Sequence, residues 1–201
     1  MSRGMIITLA VIGAMLLLAM GVFMWGTGVY NSIVSLDERV SSAWSQVENQ
    51  YQRRSDLIPN LVSTVQGFAA QEKDVLLGVT EARAKVGQMT VTKEVLENPD
   101  AFTKFQSAQD NLSAALSRLL VVAENYPNLK SNENFLALQT QLEGTENRIS
   151  VARKDFNDVV QQYNTSLRRF PGSIVASFGG FHEKQYFKSQ PGTENVPQVK
   201  F

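Results

Sequence analysis

The chain has 201 residues, 43% of them hydrophobic, with nineteen Lys and Arg set against nineteen Asp and Glu, a single His and no Cys. Zero net charge removes the electrostatic footprint of a nucleic-acid binder, and the lack of cysteine excludes disulfide stapling, thiolate chemistry and lipid attachment through sulfur. The length allows one domain with a real core, stabilised by packing alone.

The first element is read from an absence, because Gly4 to Leu36 contains no charged side chain. Its apolar centre, Met5 to Trp25, spans roughly 32 Å as a helix and matches a hydrocarbon core of about 30 Å. Trp25 and Tyr30 sit where amphipathic rings prefer the headgroup level, and Arg3 marks the other water boundary. The run exceeds the usual apolar core of a cleaved signal peptide, about 7 to 15 residues, so an uncleaved single-pass anchor is expected. Residues 1–30 are assigned to this anchor, 31–188 to a helical bundle and 189–201 to a mobile C-terminal tail.

From Val40 onward apolar residues recur with a 4,3 rhythm: Val40, Trp44, Val47, Tyr51, Ile58, Leu61, Val65, Phe68, Val75, Val79, Ala82 and Val86, with Arg54 and Glu72 as polar interruptions. A 3.5 period kept this long predicts a coiled-coil-like helix from Asn31 to Val86, passing through Pro59 as a kink. Gly87 ends it. A second helix is expected from Asp100, as N-cap, to Tyr126, with Phe102, Phe105, Gln109, Leu112, Leu116, Leu119 and Ala123 on its stripe. A third runs from a Ser131 cap, with Glu133 in its first turn, through Phe135, Leu138, Leu142, Thr145, Ile149, Ala152, Phe156, Val159, Tyr163 and Leu167 to Phe170-Pro171-Gly172. Ser173 to Phe178 forms one short helix, and no β-alternation is visible. The fold class is therefore all-α: an N-terminal transmembrane helix, an antiparallel bundle of long helices, a short C-terminal helix and a mobile tail.

Three helices of such unequal length cannot cover one another. The stripe Val40, Trp44, Val47 and Tyr51 is left without a partner in this arrangement, and an exposed apolar seam marks an interaction surface, so self-association is expected there. The interruptions carry a second expectation. A charge facing a core must be paired, which points from Arg54 to Glu133, Glu143 and Glu146 as partners in a buried polar network that fixes helix register. Catalysis finds no foothold: His182 has no second His or Cys to work with, and neither a phosphate loop nor a His-Glu-x-x-His element occurs. Glu143 and Glu146 lack the Glu-x-x-His companion of a carboxylate metal site. No cofactor and no metal are implied.

Ordered motifs run through the chain: Ala43-Trp44, Arg53-Arg54-Ser55-Asp56-Leu57-Ile58-Pro59-Asn60-Leu61, Ala123-Glu124-Asn125-Tyr126-Pro127, Asn132-Glu133-Asn134-Phe135, Thr145-Glu146-Asn147-Arg148-Ile149, Tyr163-Asn164, Phe170-Pro171, and Gly180-Phe181 before Tyr186-Phe187. Together they resemble the LemA family of bacterial membrane proteins from about Tyr30 to Phe187. The resemblance implies a membrane helix, an antiparallel bundle and a body on the cytoplasmic side of the inner membrane. It brings no catalytic activity, cofactor or ligand. Arg3 alone leans towards an exported body. The sequence thus predicts a membrane-anchored, non-enzymatic helical scaffold whose partners are the bilayer, further copies of itself and other proteins. The rival expectation is a signalling or stress-response transducer that uses the Pro59 kink as a hinge.

Overall fold

The computed structural model describes residues 3–89 and 92–188. The tail expected at 189–201 lies outside the described residues. Among the described residues seven helices follow in chain order: α1 (Arg3–Phe68), α2 (Lys73–Gly87), α3 (Lys93–Glu97), α4 (Pro99–Ala123), α5 (Pro127–Lys130), α6 (Glu133–Arg168) and α7 (Gly172–Gly179). No strand occurs among the described residues. The all-α reading holds.

One uninterrupted helix, α1, carries both the apolar N-terminal stretch and one wall of the bundle. Its first part is long and apolar enough to cross a membrane, and the protein itself buries none of that stretch. Pro59 lies inside α1 without breaking it. The carbonyl of Ser55, which loses its helical partner because proline has no N–H, accepts from Arg83 Nε of α2 at 3.1 Å.

The predicted rod to Val86 is corrected at Ala69. There the chain turns through Glu72, whose backbone N–H donates to Ala69 O at 3.0 Å, and α2 folds back onto α1 and α4. Glu72 belongs to the corner, where its carboxylate accepts from Tyr126 Oη at 2.7 Å. Two caps are also corrected. Asn98, followed by Pro99, caps α4 by accepting from Asp100 N and Ala101 N, and Asn132 caps α6 by accepting from Phe135 N. Asp100 instead occupies the first turn of α4 and Ser131 precedes the α6 cap, while Glu133 lies in the first turn of α6 as expected, where a negative charge favours the helix dipole.

The helices form an up-down-up-down bundle in which α1 and α6 pack along most of their shared length. Its interior has two parts. The distal core is largely aliphatic, built on Ile58, Leu61, Val65, Leu76, Leu112, Leu116, Leu119, Leu129 and Leu142 with the aromatic Phe135 among them. The proximal core is aromatic, built on Trp44, Tyr51, Phe102, Phe105, Phe156, Tyr163 and Phe187. A polar layer of Arg54, Gln109 and Thr145, all buried, lies between them.

Because α2 is only about 22 Å long, it serves as the fourth wall of the distal half alone. In the proximal half that place is taken by the extended segment 181–188, which returns from α7 and runs between α4 and α6. This arrangement overturns the expected self-association seam. Val40, Trp44, Val47 and Tyr51 are all buried by the chain's own α4, α6 and residue Phe187. The miscount came from treating α2 as a continuation of the first helix and from giving residues 181–188 no place against the stripe.

Candidate interaction site in the membrane-proximal half

The segment 181–188 is held by side-chain amides that each engage the backbone of one residue twice. Asn164 Oδ1 accepts from Lys184 N at 2.9 Å while its Nδ2 donates to Lys184 O at 2.9 Å. Asn157 does the same at Phe187, at 2.9 and 3.0 Å. Gln106 of α4 repeats the pattern at Lys188. Gln185 N adds a bond to Leu96 O of α3 at 2.8 Å. An extended backbone has no helical partners of its own, so three carboxamides, each both donor and acceptor, supply them.

Two side chains fix the register of this segment. Phe187 lies among Trp44, Phe102 and Phe156 with ring centroids 5.0 to 5.9 Å apart, and the Arg153 guanidinium sits 4.9 Å over its face. Lys184 is buried, with its Nζ 2.6 Å from Glu97 and 3.1 Å from Asp37. It thereby ties the segment to both α3 and α1. Tyr163 lies beneath that ammonium, and burial, followed by the nearby Asp37 and Glu97 carboxylates, pushes its phenol far above the ordinary value. Burial likewise raises Tyr51, against the opposing pull of Arg153, whose Nε donates to Tyr51 Oη at 2.6 Å.

Above this site lies the polar layer. Arg54 donates to Ser113 Oγ at 2.6 Å, to Glu146 Oε1 at 2.7 Å and to the Gln109 side chain, so one guanidinium links α1, α4 and α6. Of the carboxylates named from sequence, Glu146 meets Arg54. Glu143 is exposed and accepts from Gln139, while Glu133 is exposed in the first turn of α6, so both are removed from the network. Sequence reasoning missed Gln109 and Ser113 as partners, although Gln109 stood out as the polar residue on the α4 stripe.

None of these groups forms a nucleophile with a base, and among the described residues no three His, Asp or Glu side chains gather to hold a metal. His182 is exposed. What the arrangement does chemically is recognise an extended polypeptide, by backbone, by one aromatic and by one ammonium. At the lower edge of the site α7 packs on α1. Gly172 is buried so closely that a Cβ there would meet Ser166 O at 2.0 Å, and Gly180 ends α7 in the left-handed region at φ 69°, where glycine is favoured.

Comparison with known proteins finds relatives over most of the chain. A model of the LemA family matches residues 43–201. Among curated relatives, the magnetosome protein MamQ 2 of Paramagnetospirillum magneticum is 27% identical, covering 85% of this chain and 70% of its own length. MamQ of Magnetospirillum gryphiswaldense is 26% identical over the same shares. Protein LemA of Metamycoplasma hominis is 22% identical, covering 80% of this chain and 69% of its own length.

Proposed function

The chain belongs to the LemA family, and from that premise we propose that it is a single-pass, membrane-anchored helical scaffold that assembles with further copies and holds other proteins at the bacterial inner membrane. The observation that carries this reading is the continuity of α1, which passes from an exposed apolar stretch into the packed core without a linker. A catalytic domain tethered for reach gains from a flexible linker, whereas a scaffold gains from rigid orientation to the bilayer. Relatives that carry the names magnetosome protein and LemA, and not the name of an enzyme, are in keeping with a non-catalytic role. With the Trp44 seam covered, assembly falls to the membrane span and the outer faces of the bundle.

Cysteine scanning tests this, because the chain has no Cys of its own. Single cysteines placed along Met5 to Trp25 should form disulfide-linked dimers in membranes with a period of three to four residues. Uniform absence of dimers there, and from cysteines on exposed bundle faces such as Val121 and Val151, removes the self-assembly claim. A reporter fused after Phe201 tests the cytoplasmic placement of the bundle.

A second reading, a transducer, draws support from the bond between Arg83 and the Ser55 carbonyl that Pro59 leaves open. Through it a tilt of the span would reach α2. Loss of signalling in Arg83→Met with assembly intact would favour that reading.

A further inference from the structure

We infer that the outer face of α7 is a second membrane contact, lying in the headgroup region of the bilayer beside the α1 span. The inference rests on the reading that α1 crosses the bilayer.

The argument starts from composition. The α7 sequence Gly-Ser-Ile-Val-Ala-Ser-Phe-Gly carries no charge. One side of it is used for packing, with Gly172 and Ala176 buried and Val175 against the proximal core. The other side presents Ile174 at 52% and Phe178 at 90% exposure, one helical turn apart, and Phe170 at 74% just ahead of them. Solitary exposed apolar side chains such as Val121 are ordinary, but Ile174 and Phe178 share one face of α7, and Phe170, in the turn before it, adds a third large exposed side chain at the same end of the bundle.

Its location selects the occupant. Phe170 lies 6.2 Å from Trp25, the ring that closes the apolar stretch. A Cβ at Gly179 would lie 3.3 Å from the Tyr30 ring, and one at Gly172 would lie 4.0 Å from Ile33 Cδ1, so α7 crosses α1 between Trp25 and Ile33. The uncharged run Gly4 to Leu36 is roughly 50 Å long as a helix, more than the about 40–45 Å of a bilayer with its headgroups. With Met5 to Trp25 filling the hydrocarbon core, a headgroup layer of about 5–8 Å takes in the next four or five residues of α1, as far as Tyr30, and Phe170 and the Gly179 end of α7 lie against that stretch. Arg169, exposed and immediately before Phe170, stands where lipid phosphates would be met, next to an exposed Arg168 whose Nε lies 3.8 Å from Glu183. A short helix with apolar side chains outward, aromatic neighbours and flanking arginines at the end of a membrane span fits a lipid surface.

Nitroxide labels on single cysteines in the full chain test this, since no native thiol interferes. Labels at Ile174→Cys and Phe178→Cys are compared with Leu17→Cys in the span and Val121→Cys in the distal bundle, all four sites exposed. The protein is reconstituted into phosphatidylethanolamine and phosphatidylglycerol vesicles, and collisions with oxygen and with a water-soluble nickel chelate are measured. Expected at positions 174 and 178 is high oxygen access with nickel access several-fold below that at position 121. Nickel access at 178 equal to that at 121, with position 17 shielded, overturns the α7 contact while leaving the span intact. Low access to both reagents at 178 assigns the face to a protein and also overturns it. Nickel access at position 17 overturns the spanning reading and the α7 contact together.

Discussion

A guanidinium sealed inside a bundle is tolerated only while its charge is matched. Arg54 is fully buried, whereas the Glu146 side chain is 41% exposed, so the two ends of their bond respond differently to truncation. Removing Glu146 leaves a buried cation with only the neutral acceptors Ser113 and Gln109. Removing Arg54 leaves a carboxylate that water can solvate. Breaking a fully buried pair costs about 3–5 kcal/mol, and the partial hydration here lowers that to roughly 2 kcal/mol for Glu146→Ala. Arg54→Met, which keeps the volume and deletes the charge, should cost less than Glu146→Ala in denaturant unfolding, although Arg54 is the more buried partner. The reverse order would show that packing of the Arg54 stem, and not its charge, is what counts. The buried tyrosines carry a pH prediction at the same scale. Tyr51 and Tyr163 have folded-state values raised above the ordinary 10.0, first through burial. Above about pH 10 the unfolded chain therefore binds fewer protons than the folded one, and stability falls with rising pH. Tyrosine ionisation followed by absorbance should coincide with loss of helix on alkaline titration, and ionisation of these phenols well before unfolding would contradict it.

At the scale of the element, the helix starts and stops are where residue patterns were most and least informative. The stripes of α4 and α6 were legible because each core residue from Phe102 to Ala123, and nearly all from Phe135 to Leu167, keeps a helical interval. In α6 the pattern erred by one position, since Val160 and not Val159 is fully buried. The corner at 69–72 was illegible for a physical reason. It contains no Pro or Gly, and its backbone bonds stay helix-like, so the 4,3 rhythm runs across it almost in phase. The trace left in the sequence was Glu72, a carboxylate at what seemed a core position. Pro59 was legible as a step in a continuous helix, but not its consequence, because the Arg83 that answers it lies 28 residues away from the freed Ser55 carbonyl. That pairing is testable by a double-mutant cycle. Arg83→Met in the natural chain leaves the Ser55 carbonyl without its donor and should cost about 1–2 kcal/mol. In a Pro59→Ala background, where the new backbone N–H can serve the same carbonyl, it should cost less, with a coupling of at least about 0.5 kcal/mol. Strict additivity of the two changes would deny the link.

At the scale of the whole molecule, the bundle is four-walled along its length only because two unlike pieces share the fourth wall. One is the helix α2 and the other is the extended segment 181–188, and the second has no periodicity by which a sequence could announce it. Its aromatics and the amides of Asn157 and Asn164 are visible in the chain, yet nothing local says that the amides exist to serve a backbone in the same molecule. This also explains why the stripe from Val40 to Tyr51 invited a partner. It needs one, and Phe187 supplies the ring that stacks on Trp44 with planes 15° apart. Phe187→Ala should therefore lose about 3–5 kcal/mol, the range for emptying a buried aromatic site, which is a Tm lowered by roughly 6–20 °C for a domain of this size. The chain has two tryptophans, so in a Trp25→Phe background Trp44 alone reports, and its emission should shift to the red as water reaches the indole. The same variant should raise self-association in membranes, because the uncovered Trp44, Phe102 and Phe156 then present the apolar surface that segment 181–188 normally occupies. Unchanged emission and unchanged Tm would mean that the segment rests on the bundle without closing it, and that the proximal core is completed by α1, α4 and α6 alone.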